Sequence, residues 1–257
     1  MMKTDALDRE GAFRRMGDRV EALGGAFRTA GDLGTTDADL AAMASRSSFV
    51  HTDTPNLAGA VGRGVLRCME ACAQAHGVPS LAGLRIAVQG CGDIGAAVAR
   101  SLFRSGARIV VADLDRARAE SLADEVDGEV SSPDEVLWLD VDVVAPCAVG
   151  DVLDARRVER LRAWAVCGGA NNICTDMAAH HALHEGGILF VPDLISSSGA
   201  VIEGIGETVM GLDDRSGLID ALRETAAAVL HDAGRDGRPP MVHAIERARR
   251  RIDAASE

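Results

Sequence analysis

The chain is almost without lysine. Of its 27 basic residues only Lys3 is a lysine, and it stands in an N-terminal tail expected to fray. Arginine pairs well with carboxylates but does not give up its proton in a protein, so acid–base chemistry that depends on lysine is nearly excluded. Long apolar runs are also missing: none reaches the length of a membrane span. The charged stretch from Met1 to Arg19 lacks the apolar centre of a signal peptide. The expectation is a soluble, cytoplasmic protein. Positive charge is scarce overall, with 27 Lys+Arg against 39 Asp+Glu and a formal charge of −12. Such a surface repels nucleic-acid phosphates and anionic lipid, so neither nucleic acid nor membrane is an expected partner. The one basic cluster, Arg247, Arg249, Arg250 and Arg251, reads as a solvated helix face. Internal repeats and low-complexity segments are absent as well.

What is present suffices for a substantial core: 257 residues, 47% of them hydrophobic. Six cysteines in a chain of this kind read as free thiols, not a disulfide framework. Cys68 and Cys72 are one helical turn apart, as are His180 and His184 beside His181. Either pair could supply two metal ligands, but no third ligand or standard motif accompanies them. Core cysteines and surface histidines are the favoured reading, and no metal is expected.

Apolar spacing predicts a helix over 5–22, stopped by Gly24-Gly25, then a short strand from Ala26 to Thr29. Asp37 to Met43 reads as a second helix with Thr36 or Asp37 as its N-cap. Pro55 opens a long helix to about His76, closed by Gly77-Val78-Pro79. The pattern then alternates. Strands are predicted at Arg85–Gln89, Arg108–Asp113, Val141–Ala145, Ala163–Cys167 and Ile188–Val191. Helices are predicted at Asp93–Arg104 and Arg116–Glu125, and after Gly199 near Leu218–Ala233 and Met241–Asp253. Strand–helix–strand order argues for an α/β protein with a doubly wound parallel sheet of the Rossmann type.

The first strand runs into Gly90-Cys91-Gly92-Asp93-Ile94-Gly95, a G-x-G-x-x-G loop. Gly90 permits the tight turn, Gly92 lets backbone amides approach a pyrophosphate, and Gly95 lets helix and strand pack closely. The following helix points its positive end at the phosphates. The hexapeptide alone is a weak signal. Its context adds Asp113, 23 residues after Gly90, at the end of the second strand, where an acid should accept hydrogen bonds from the adenosine ribose and repel a 2′-phosphate. Leu114 adjoins it. The expected cofactor is therefore NAD, although Arg116 lies nearby; the competing reading is a purely structural glycine turn. Asp93 either caps the helix or opposes the phosphates.

Five segments in order resemble the Glu/Leu/Phe/Val dehydrogenase family of amino-acid dehydrogenases, nearest its leucine dehydrogenase branch. They are Thr29-Ala30-Gly31-Asp32-Leu33-Gly34-Thr35-Thr36, Val88 to Gly95, Ala145-Pro146-Cys147-Ala148, Gly168-Gly169-Ala170-Asn171-Asn172, and Pro192-Asp193 with Ser198-Gly199. The resemblance runs from Phe27 to about Ile252. It implies reversible oxidative deamination, with hydride passing between an α-carbon and NAD. It implies that Asp32 is the catalytic carboxylate, and that Pro146, Cys147, Ala170 and Asn171 line the cofactor cleft. The residues themselves allow Asp32 a second reading, as a turn or capping aspartate in a glycine-bracketed loop.

The departures are as informative. The family's N-terminal substrate domain, with two lysines, is mostly without counterpart here. Its asparagine in P-D-x-x-x-N is Ser197, and a threonine near the nicotinamide aligns loosely with Val61. Three readings follow: an oxidoreductase with a lysine-free site acting on an amine or imine, or on an amino acid/2-oxo acid pair; an NAD-binding pseudoenzyme or partner subunit; or a chain whose missing lobe comes from another subunit. For the first, Asp32, His51 or a cysteine would supply a proton, and Arg46 or Arg63 would grip a carboxylate. His51, Ser196, Ser197, Ser198 and Glu203 are candidates to line the substrate cleft, with His51 and Ser197 the substrate residues chosen. A homo-oligomer, such as a dimer, is expected because an open apolar patch demands cover. The predicted organisation is a Rossmann domain over 57–200 and a reduced second lobe made of 1–56 with the helices of 201–257.

Overall fold

The computed structural model describes residues 8–32, 34–52 and 56–255, with the side chains of 207–209 left aside. Lys3, Leu33 and Pro55 lie outside the described residues. The chain divides into two compact units, Met1–Pro55 and Asn56–Glu257.

In the smaller unit α1 (Arg9–Ala22) packs on α2 (Asp37–Ala44). The core is Val20, Met43 and Val50, with Phe13, Leu40 and Phe49 against it. Thr36 caps α2 in a reciprocal capping box with Asp39. Asp39 is almost wholly buried and also takes a two-pronged bond from Arg9, at 2.8 and 2.7 Å. These bonds matter because an unpaired carboxylate in that position would be strongly destabilising. Burial opposes the charged form, but the Arg9 bond outweighs it and holds Asp39 far below its ordinary range. The expected strand at 26–29 is instead a single bridge, Thr29 to Val50. Gly24 and Gly25 both have positive φ, and the turn they make leaves too little extended chain for a ladder.

The larger unit opens with α3 (Leu57–His76), whose buried stripe includes Val61, Val65, Cys68, Met69 and Cys72. Then come β1 (Arg85–Gln89), α4 (Asp93–Arg104), β2 (Arg108–Ala112), α5 (Arg116–Glu125), β3 (Glu129–Val130) and β4 (Val143–Pro146), with a 3-10 turn at Val136–Trp138 before β4. They are followed by α6 (Ala155–Val158), β5 (Ala165–Val166), α7 (Met177–Glu185), β6 (Leu189–Phe190), α8 (Asp193–Ser196) and α9 (Gly199–Met210). The chain ends with α10 (Ser216–Asp220), α11 (Leu222–Asp236) and α12 (Pro240–Ala255).

The six strands are all parallel, in the order β3-β2-β1-β4-β5-β6. The three central strands carry the apolar runs that buried parallel strands require: Ile86, Ala87 and Val88 of β1, Val110 and Val111 of β2, and Val143, Val144 and Ala145 of β4 are essentially sealed from water. One core lies on each face of the sheet. On the first, α4 buries Val98, Ala99 and Leu102 against α3 and β2; truncating Leu102 to alanine would cost about 2–5 kcal/mol. Close passage of α3 over α4 needs Gly62, because a Cβ there would meet the Ala97 carbonyl oxygen at 2.7 Å.

Several expectations are revised. The strands expected at Val141, Ala163 and Ile188 are shorter, and β3 was not anticipated. The helix expected near Leu218–Ala233 is broken into α10 and α11, and α9 precedes both. The C-terminal helices, expected to join the N-terminal segment, lie within the larger unit: α11 packs on α3, and α12 on α11 and α7. No helix among the described residues is long and apolar enough to cross a membrane.

Candidate functional site

Strand order reverses direction between β1 and β4, and the loops leaving the carboxyl ends of strands beside such a reversal form the ligand crevice of an open α/β sheet. The G-x-G-x-x-G segment leaves β1 at that point. Gly90 has φ +94°, a left-handed conformation, and a Cβ there would meet Ala148 at 2.8–3.0 Å. At Gly95 a Cβ would collide with the Gly90 carbonyl oxygen. Gly92 differs from both. It is the N-cap of α4, and a Cβ there would meet nothing within 4 Å. Packing within the chain therefore does not require glycine at 92.

No side chain caps α4. Its first amide groups and the positive end of its dipole are left for an anion from outside. Asp93 is exposed at the first helical position, and Ile94 is half-buried against the core. Asp113 follows the last residue of β2. Its Oδ2 accepts the Cys91 N–H at 2.7 Å and its Oδ1 the Asp115 N–H at 2.8 Å, with Arg118 3.6 Å away. Burial alone would raise its pKa, but those two amides and the guanidinium together hold it below its ordinary value. Asp113 is thus a fixed carboxylate attached to the glycine loop. Leu114 beside it is 94% exposed, an apolar surface that nothing among the described residues covers.

Across the reversal, Pro146 ends β4 and Cys147 is buried behind it. The Cys147 sulfur accepts the Gly169 N–H at 3.4 Å, and burial pushes the thiol up to about 12. Cys91 rises to about 11, through burial first and then the nearby Asp113 carboxylate. Neither is poised as a nucleophile at neutral pH. Ala170 is buried and Asn171 exposed. The loop carrying them is tied to α8: Ser196 Oγ donates to the Gly168 carbonyl at 2.6 Å, and the Asn172 N–H donates to Asp193 Oδ2 at 2.9 Å. Ser197 Oγ lies 3.0 Å from Asn171 Oδ1 and 2.7 Å from the Asp193 carbonyl oxygen.

Other candidates are placed differently. Arg63 is committed to Asp220, with Nε at 2.8 Å and Nη2 at 2.5 Å, which removes it as a ready carboxylate grip. Arg46 pairs with Asp18 at the surface of the smaller unit. Val61 is buried against Gly169, where valine serves packing. Glu203 pairs with Arg215 at 3.0 Å, and the Ser198 hydroxyl bonds the Ile195 carbonyl. His180, expected at the surface, is buried against Phe190, and burial lowers its pKa. All six cysteines are buried and unpaired in disulfides. No group of three or more metal-ligating side chains gathers among the described residues.

In the smaller unit Asp32 is exposed in a tight turn. Its amide bonds Thr35 Oγ1 at 2.7 Å, and its carbonyl accepts the Thr35 N–H at 2.9 Å. The turn fixes the backbone at Asp32. His51 Nε2 is buried with no hydrogen-bond partner among the described residues.

The Glutamate/Leucine/Phenylalanine/Valine dehydrogenase model matches residues 56–117 and 111–214. The chain is 30% identical over 253 residues to leucine dehydrogenase of Thermoactinomyces intermedius, covering 95% of this chain and 69% of that protein. It is 32% identical over 248 residues to valine dehydrogenase of Streptomyces albus, covering 92% and 68%. Among solved structures, L-tryptophan dehydrogenase from Nostoc punctiforme aligns with a TM-score of 0.82 at 27% identity, over 96% of this chain and 73% of that one. The hetero-hexameric glutamate dehydrogenase of Thermus thermophilus aligns with a TM-score of 0.76 at 26% identity, over 98% and 70%. The matched model covers well over half of the chain and includes the glycine loop, Asp113 and the Asn171 loop: the protein belongs to the Glu/Leu/Phe/Val dehydrogenase family.

Proposed function

We propose that the protein is an NAD-dependent oxidoreductase acting on an amino acid/2-oxo acid pair, or on a related amine or imine, at an active site that uses no lysine. The observation that carries this reading is the cradle at Gly92. It is an uncapped helix start with open space where a side chain would fit, flanked by a carboxylate held in place by the glycine loop itself. Those features match a pyrophosphate and an adenosine ribose. The Asp113 carboxylate would accept the 2′- and 3′-hydroxyls and repel a 2′-phosphate, which favours NAD over NADP. Exposed Leu114 would lie under the adenine. Cys91, Asp93, Ile94, Pro146, Cys147, Ala170 and Asn171 complete the cofactor surface. Bound there, the nicotinamide would take or give the hydride.

Asp32 is assigned as the catalytic carboxylate, moving the proton that accompanies hydride transfer. The turn that fixes its backbone supports this role. His51, whose buried Nε2 meets no hydrogen-bond partner among the described residues, is the second candidate for contact with substrate. Residues 1–56 are read as matching part of the family's substrate lobe, and a homo-oligomer is the proposed assembly.

The test is consumption of NADH with aliphatic and aromatic 2-oxo acids plus ammonia, and with preformed imines. Turnover in the wild type should fall about a hundredfold or more in Asp32→Ala, the loss expected for a removed acid–base group. Undiminished turnover in that variant would refute the catalytic assignment. A second reading, an NAD-binding partner subunit without dehydrogenase activity, is favoured by the Arg63–Asp220 pairing and by the likeness to a hetero-hexameric glutamate dehydrogenase. It predicts NAD binding with no turnover on any of these substrates.

A further inference from the structure

We infer that Ser197 is a positioning residue, which sets the Asn171 side chain for contact with the nicotinamide half of the dinucleotide. The inference rests on the cofactor reading proposed above. Three bonds join the loop after β5 to the α8 segment, and they do different work. Two hold main chain: Ser196, fully buried, bonds the Gly168 carbonyl, and Asp193, 8% exposed, accepts the Asn172 N–H. Asn172 has φ +53°, a left-handed conformation that asparagine adopts more readily than most residues and that the Asp193 bond holds in place. The third bond alone reaches a side chain. Ser197 Oγ lies 3.0 Å from Asn171 Oδ1, while its 2.7 Å contact to the Asp193 carbonyl anchors the hydroxyl at the end of α8. The single hydroxyl proton is shared between these two acceptors.

Asn171 is exposed, so without this contact its amide would be free to rotate. With the oxygen turned to Ser197, the NH2 end is left for an acceptor on a ligand. The sheet says which part of the ligand that is. Adenosine belongs at β2, where Asp113 sits, and pyrophosphate at the β1–α4 loop. A dinucleotide continuing in the same direction across the reversal reaches the loops after β4 and β5, and its remaining half is the nicotinamide nucleoside. A carboxamide oxygen or a ribose hydroxyl there would accept from Asn171. The expected role of Ser197 as a direct substrate contact gives way, because its hydroxyl is already engaged twice.

The test compares NADH with ADP-ribose, which keeps the adenosine and pyrophosphate but lacks nicotinamide. Affinities would be measured by titration for the wild type, Ser197→Ala and Ser197→Thr, with a thermal melt to confirm folding. Ser197→Ala should raise the NADH Kd about three- to tenfold, the effect of one lost neutral hydrogen bond. It should leave ADP-ribose within about twofold, and Ser197→Thr, which keeps the hydroxyl, should restore NADH binding. Equal weakening of both ligands would mean a structural role only and would overturn the inference. So would an unchanged NADH affinity, or a wild type that binds NADH no more tightly than ADP-ribose. A wild type that binds neither ligand would overturn the cofactor reading itself, an outcome distinct from the others.

Discussion

Gly92→Val should weaken dinucleotide binding by well over tenfold while costing the fold no more than about 1 kcal/mol. Gly92 has φ −68° and ψ −172°, values open to any residue, so no backbone strain follows from adding a side chain. A Cβ there would meet no atom within 4 Å. Substitutions in such open positions change stability by about 0.5 kcal/mol or less, and the restricted unfolded chain partly offsets the poorer N-cap that alanine or valine makes for α4. The same emptiness is the path of the pyrophosphate. A side chain would displace the phosphates from the α4 amides, and a loss of at least about tenfold in Kd, or about 1.4 kcal/mol, is expected for alanine and more for valine. Gly95→Ala provides the contrast, since its Cβ would strike the Gly90 carbonyl and the fold itself should suffer. Calorimetric titration with NADH and denaturant melts of the wild type and the three variants make the assay. Wild-type affinity in Gly92→Val would show that no ligand passes over this loop, and a Gly92→Ala destabilised by well over about 1 kcal/mol, beyond the cost of the poorer N-cap, would show that the space is needed by the chain.

Asp113→Ser should weaken NAD binding about tenfold or more, the scale of a lost charge-assisted bond, and should raise the relative affinity for NADP; paired titrations with the two cofactors check both. The six cysteines, all buried and several with strongly raised pKa values, should resist a thiol reagent at pH 8 in the native protein and become fully reactive only in denaturant. Asp39 has a folded pKa below its unfolded value of about 3.9, so its contribution is complete above that pH and lost as pH falls through and below it. Amide protection factors in α1 and α2, taken relative to the intrinsic exchange rate at each pH, should therefore fall on acidification below about pH 4. In Asp39→Asn, which has no such carboxylate, that pH-dependent loss of protection should be reduced.

The βαβ unit was legible because every signal in it is local. Continuous apolar runs mark β1 and β2, the glycines mark the turn, and the acid closes the second strand. The short outer strands escaped for the same reason. Glu129–Val130 is two exposed residues, paired only because β2 offers an edge. α9 begins at Gly199 within a run of serines and small residues that reads as a polar turn, so nothing local announced the helix. Arg63 looked available because its partner, Asp220, lies 157 residues away. The bonds from Asp193, Ser196 and Ser197 to the 168–172 loop span 21 to 28 residues, and no periodicity announces them. Pro192-Asp193 and the serine run were visible as motifs, but which loop they hold emerged only with β5 and β6 side by side. Residues reading as a polar turn thus became the support of the loop expected at the nicotinamide.

Titration of the purified protein with NAD+, NADH and NADP+ by calorimetry tests the central claim most directly. The account predicts micromolar binding of NAD+ and NADH, with NADP+ clearly weaker. No detectable binding of either NAD form, or NADP+ binding as tightly as NAD+, would contradict it.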